Sequence, residues 1–212
     1  MTQIEAARRG QITEALKIVA DAEGRRAEDL LPLVADGRIV IPCNPRHAGL
    51  RPAGIGKSLR TKVNVNLGTS KDFPALDKEL EKVGVCLAHR ADALMDLSTG
   101  GDIPAIRREI LKRAPLPLGT VPLYQTAVQA IEERGSILDM TVEDMFASVE
   151  AQAREGVDFM TIHCGLTMKA VERLRRQGRT ADVVSRGGAF HVAWMLHHQR
   201  SGSWSLNSSG GH

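Results

Sequence analysis

Aromatic residues are scarce, 3% of 212, so the chain has few of the flat rings on which a nucleic-acid binder stacks bases. Charge of one sign is also lacking. The 28 basic and 25 acidic residues leave a net charge of +3, too small a surplus for a broad phosphate-backbone footprint. A small phosphorylated molecule suits this balance better than a nucleic acid. No apolar run approaches the roughly eighteen residues of a membrane helix. The opening Met1-Thr2-Gln3-Ile4-Glu5 has neither the basic nor the hydrophobic region of a secretory leader. The expectation is a cytoplasmic protein with no membrane partner. Cys43, Cys86 and Cys164 are odd in number and far apart, which suits neither a disulfide framework nor a zinc or iron–sulfur ligand set. They read as reduced thiols of the core or of strand ends.

What is present is enough apolar residue, 42% of the chain, to bury a sizeable core. Ile4, Ala7, Ile12, Leu16, Val19 and Ala20 have loose helical spacing, and residues 27–34 form a second helical run before the turn at Asp36-Gly37. Residues 38–58 are rich in Gly and Pro around Ile39-Val40-Ile41 and read as an extended connection. From there the pattern becomes regular: β-type runs at 62–67, 93–97, 118–122, 159–163 and 182–184, each separated by a helical stretch. Asp102 is placed to cap a helix over 103–112. Thr141 and Asp144 resemble a capping box with Asp in place of Glu, and Gly156 is placed to end the helix that follows. No G-x-G-x-x-G fingerprint follows any strand, so a barrel is favoured over a doubly wound sheet. The expected fold class is α/β: a small helical region with its connection (1–58), a partial TIM-type (β/α) barrel of about five strands (59–197), and a Ser/Gly-rich tail without periodicity (198–212), expected to be disordered.

In such a fold the reacting groups gather where the strands finish. Asn64 and Asn66 fall on one side of the first strand and precede Gly68, a pattern that serves ligand binding or a turn. Met95-Asp96-Leu97-Ser98-Thr99-Gly100-Gly101-Asp102 reads equally as an anion-binding backbone ahead of a helix or as an ordinary glycine-rich turn. Tyr124, the only tyrosine, can stack on a heterocycle or sit half-buried in a structural role. His163, before Cys164-Gly165, can bind phosphate, move a proton or simply pack. Ser185-Arg186-Gly187-Gly188 joins a hydroxyl, a guanidinium fork and glycine amides, a set suited to phosphate or carboxylate. Arg107-Arg108 and the basic run at 173–176 read as solvated helix faces, and His197-His198 as incidental.

Taken together, residues 66–70, 95–102, 119–124, 158–165 and 185–188, with the opening residues 1–8 and the phrase Arg38-Ile39-Val40-Ile41-Pro42, closely resemble the phosphomethylpyrimidine synthases. The likeness runs from Met1 to about His197. It implies a radical S-adenosylmethionine carbon–carbon lyase of thiamine biosynthesis. Such an enzyme converts 5-aminoimidazole ribonucleotide to 4-amino-2-methyl-5-phosphomethylpyrimidine with a [4Fe–4S] cluster, S-adenosylmethionine and a zinc-type divalent metal, and is a homodimer at full length. By the same likeness the substrate contacts are Asn66, Met95, Tyr124, His163, Ser185, Arg186 and Gly187. The family's Asp-Gly-Leu-Arg motif, its active-site Glu, its two metal-binding histidines and its C-terminal cysteine triad have no counterpart here, so no metal ligand and no catalytic residue is assigned. The sequence-based expectation is a family fragment, from a frameshift, a truncated gene or a genuinely short protein, that is inactive alone. An anaerobic 5-hydroxybenzimidazole synthase-like protein and a non-catalytic ribonucleotide-binding fragment are the competing readings.

Overall fold

A computed structural model describes residues 1–199, in two compact units: Met1–Thr120 with Ala153–Phe159, and Val121–Gln152 with the described residues from Met160 onward. The tail expected at 198–212 lies outside the described residues except for its first two.

The first unit begins with three short helices, α1 (Gln3–Arg8), α2 (Glu14–Ala22) and α3 (Ala27–Ala35). Thr2 and Glu5 form a reciprocal capping box on α1, and Thr13 caps α2, satisfying N–H groups that the first turn leaves free. Gly37, at φ 70°, turns the chain out of α3 into β1 (Ile39–Val40), which pairs antiparallel with β2 (Ile55–Gly56). Leu16, Val19, Leu30, Val34, Ile39 and Ile41 form the core of this layer. The helical spacing read from the sequence therefore covers two helices, broken at Gly10 where φ is 72°.

A parallel sheet follows, from β3 (Asn64–Leu67), α4 (Leu76–Ala88), β4 (Ala93–Asp96), α5 (Ile103–Arg113), β5 (Leu118–Thr120) and, after an excursion through the second unit, β6 (Phe159–Met160). The order is β3-β4-β5-β6, and β4 pairs in parallel with β3 and with β5. All four residues of β4 are buried, as a central parallel strand requires, whereas β3, at an edge, exposes Asn64 and Asn66. Leu67, Val83, Leu94, Ile106, Ile110 and Leu118 pack the α4/α5 side.

One device recurs where strands begin. The Asp92 N–H donates to the Val63 carbonyl at 2.9 Å while its carboxylate accepts the Val63 N–H at 2.8 Å. The Asp158 N–H donates to the Leu118 carbonyl at 2.9 Å and its carboxylate accepts the Leu118 N–H at 2.8 Å. Each aspartate clamps the start of its strand to the start of the preceding one. Asp158 also accepts from the Asn44 N–H at 2.8 Å and pairs with His47 Nδ1 at 2.7 Å, both side chains of the pair being buried.

The second unit holds α6 (Pro122–Arg134), a 3-10 turn at Ile137–Asp139, most of α7 (Val142–Glu155), α8 (Met168–Gln177) and α9 (Arg186–His198). The Thr141–Asp144 box forms in both directions, at 3.1 and 2.9 Å. Trp194 Nε1 donates to the Met140 carbonyl at 2.7 Å, and its indole lies against His198, whose Nε2 meets the Leu138 carbonyl. His198 is thus part of the packing.

The structure departs from the sequence-based expectation in three places. Residues 182–184 are not a strand: Val184 is 80% exposed, and this segment between α8 and α9 has no ladder partner among the described residues, which contain four parallel-sheet strands rather than five. The sheet does not close into a ring there; β3 and β6 are its edges. Arg107 is not a solvated residue but 1% exposed, donating from Nε to Glu155 at 2.6 Å. No helix among the described residues is long and apolar enough to cross a membrane.

Candidate functional site

In the first unit, Asn66 and Met95 are register partners across β3 and β4, and Met95 is in turn opposite Gly119 on β5. Asn66 is exposed and Met95 is buried. Gly119 has no room for a side chain, since a Cβ would stand 2.2 Å from the Phe159 ring. The loops beyond β3 and β4 hold one another. The Thr69 N–H donates to Ser98 Oγ at 3.1 Å, Thr69 Oγ1 donates to the Gly100 carbonyl at 2.6 Å, and the Thr99 N–H donates to the Thr69 carbonyl at 2.9 Å. Gly100 lies so close that a Cβ would be 2.3 Å from the Ser70 carbonyl carbon. Asp102 already accepts the Ala105 N–H at 2.9 Å, placing a carboxylate on the start of α5. The glycines of 98–102 therefore take part in loop packing, which suits the ordinary-turn reading of that segment.

Two buried acids under these loops went unread in the sequence. Asp96 accepts from Ser98 Oγ at 2.5 Å and from the Ser98 N–H at 3.0 Å; burial nevertheless pushes its carboxyl above the usual range, because the Ser98 bonds offset only part of the lost solvation. Glu79, also buried, accepts the Gly68 N–H at 2.8 Å and pairs with Lys82. Asp96 stood in a quoted motif without a role, and Glu79 gave no local signal.

The second unit brings five of the predicted residues together. Ser185 is the N-cap of α9, and its Oγ accepts the Gly188 N–H at 3.2 Å while meeting His163 Nε2 at 3.0 Å. Gly187 lies flat against the imidazole, where a Cβ would be 2.5 Å from His163 Cε1. Arg186 holds its guanidinium carbon 5.3 Å from the Tyr124 ring centroid, a cation–π distance, and Phe190 meets that ring edge-on at 6.3 Å. Tyr124 is only 9% exposed and belongs to the first turn of α6, because Pro122 opens that helix instead of ending a strand. The Arg186 charge and the N-terminal end of α9, partly capped by Ser185, give this corner positive potential suited to a phosphate.

Behind it lies His191, fully buried; among the described residues neither of its ring nitrogens has a hydrogen-bond partner, nor has the buried His163 Nδ1. Desolvation pushes the His163 pKa down, and desolvation with the neighbouring His163 charge pushes His191 down to about 4. Sequence reading missed His191, although a lone imidazole in the apolar run Ala189-Phe190-His191-Val192-Ala193-Trp194 was the available signal.

The cysteines do not form a cluster-binding set. Cys43 packs on the helical core, Cys86 is buried in the sheet core, and Cys164 is exposed in the other unit. Burial raises the Cys43 and Cys86 thiols, with Asp158 adding to the effect on Cys43, and so disfavours the thiolates that iron would need. Among the described residues no three His, Cys, Asp or Glu side chains gather to hold a metal ion.

The sequence model of the radical SAM ThiC family matches residues 2–204. The phosphomethylpyrimidine synthase of Moorella thermoacetica is 57% identical over 200 residues, 94% of this chain and 46% of that protein. Those of Caldanaerobacter subterraneus subsp. tengcongensis and Desulfitobacterium hafniense are 54% and 48% identical over the same shares. The chain spans less than half the length of these relatives.

Proposed function

The chain belongs to the radical SAM ThiC family, and from that premise we propose that it is the substrate-recognising part of a phosphomethylpyrimidine synthase, binding 5-aminoimidazole ribonucleotide on the way to the pyrimidine phosphate of thiamine. The observation that carries this reading is the meeting of His163, Ser185 and Gly187 at the first turn of α9, with Arg186 beside them over Tyr124. Arg186 supplies a permanent charge and a donor fork for the phosphate. The α9 N–H groups add donors that cost no side-chain entropy. His163, whose depressed pKa keeps it neutral near pH 7, orients through Ser185. Asn66 and Met95, side by side on β3 and β4 of the first unit, are proposed as substrate contacts through an amide and an apolar surface.

S-adenosylmethionine cleavage is assigned to no residue of this chain, since its cysteines do not fit a cluster. The reading carries with it a cytoplasmic location, a homodimer at the relatives' full length, and a (β/α) barrel of which the parallel sheet would be one side.

Titration calorimetry of the chain with 5-aminoimidazole ribonucleotide tests the proposal. Arg186→Ala is expected to weaken binding by about 1.5–3 kcal/mol, the scale of a hydrogen bond to a charged group. Unchanged affinity removes Arg186 from the site, and no saturable heat with the unaltered chain overturns the proposal.

A further inference from the structure

Where the parallel strands begin, the first unit has a cavity of about 460 Å³ that the proposed function does not use. Its lining includes Lys62, Asp92 and Leu116, which precede β3, β4 and β5, whereas Asn66 and Met95 lie towards the finishing ends of their strands. Val19, Pro52, Leu87 and Ala91 supply apolar wall.

The charged lining is unbalanced: Arg51, Arg60, Lys62 and Arg90 face only Glu23 and Asp92. Both carboxylates are already engaged. Glu23 takes Lys62 at 2.7 Å and Arg60 at 3.8 Å, and Asp92 binds Arg60 through both oxygens. Arg51 and Arg90 have no ion-pair partner among the described residues. Most of the carbonyls that end α2 and α4 are already engaged. Val19, Ala20 and Asp21 accept from Glu23, Arg25 and Gly24, and Val85, Cys86 and Leu87 accept from His89, Ala91 and Arg90, respectively. Arg90 itself has a left-handed backbone, φ 57°, a conformation an arginine adopts only at a cost in strain.

We propose that this cavity is a second anion site, which takes a small organic phosphate with an apolar body: the phosphate on Arg51 and Arg90, the body against Val19 and Leu87. Its volume lies in the range of small-ligand sites. Two unpaired guanidiniums select a phosphate over a neutral analogue, because the fork geometry matches paired phosphate oxygens.

The test is calorimetric titration with phenyl phosphate, performed in the Arg186→Ala background so that the α9 corner binds more weakly. Saturable binding is expected, weaker at higher salt, and lost by about tenfold or more with Arg51→Ala or with Arg90→Asn. Asparagine is chosen at 90 because it tolerates the left-handed backbone, so this variant keeps its fold, which an unchanged thermal melt verifies. Binding that is the same in both variants, equal binding of benzyl alcohol, or no saturable heat overturns the proposal.

Discussion

At the residue scale, the most exposed weakness of the structure to acid is a buried one. Among the described residues His191 has no hydrogen-bond partner, and its pKa is lowered to about 4, against an ordinary 6.5. A base depressed in this way binds its proton more readily in the unfolded chain. Its stability is therefore intact above pH 6.5 and is lost progressively as pH falls towards 4. The loss attributable to His191 is about 2 kcal/mol at pH 5 by linkage. His163, also depressed by burial, acts in the same direction, whereas His47, raised by Asp158 against the effect of burial, acts in the opposite one. The contribution is isolated by comparison with His191→Leu, which replaces an unsatisfied polar ring with an apolar side chain. Urea unfolding at pH 7 and pH 5 is expected to show the smaller drop for the variant, and equal drops would mean that His191 is hydrogen-bonded in solution. His191 was readable in the sequence only as an oddity, because burial and the absence of a partner are properties of the fold.

At the scale of elements, caps and clamps decide where strands and helices start. Asp102, Thr141 with Asp144, and Gly156 were legible because capping is local: donor and acceptor lie within about four residues. The clamps at Asp92 and Asp158 were not, since their partners lie 29 and 40 residues away. Asp158→Ala leaves the His47 ring and the Leu118 and Asn44 N–H groups without their acceptor at once. It is expected to cost about 3–5 kcal/mol, the range for breaking a buried charged pair, read as a lower midpoint in urea unfolding. Asp158→Asn, which retains one acceptor oxygen, is expected to lose less. The segment 182–184 failed as a strand for the converse reason: Val183-Val184 has strand propensity, but a strand exists only where a neighbour completes its ladder.

At the scale of the whole molecule, the chain belongs to the radical SAM ThiC family and spans less than half the length of its relatives. Reconstituted with iron and sulfide under reducing conditions, the chain is expected to form no 5′-deoxyadenosine from S-adenosylmethionine, because Cys43 and Cys86 belong to separate cores and burial disfavours their thiolates. Chromatographic detection of that product with a contaminant-free preparation would show that another ligand set holds the cluster. The sequence by itself determined the family and the alternation of strands and helices, and it named Tyr124, His163, Ser185, Arg186 and Gly187, which the fold brings together. Each of these rests on residue type and local order, which the chain carries before it folds. Only the tertiary structure decided how closely Gly100, Gly119 and Gly187 are packed, that Arg107 is buried against Glu155, that among the described residues His191 is unpaired behind the α9 corner, and that two arginines are left without an ion-pair partner where the strands begin. These depend on which distant residues meet and on how much water is excluded when they do, and neither is set by any local stretch of sequence.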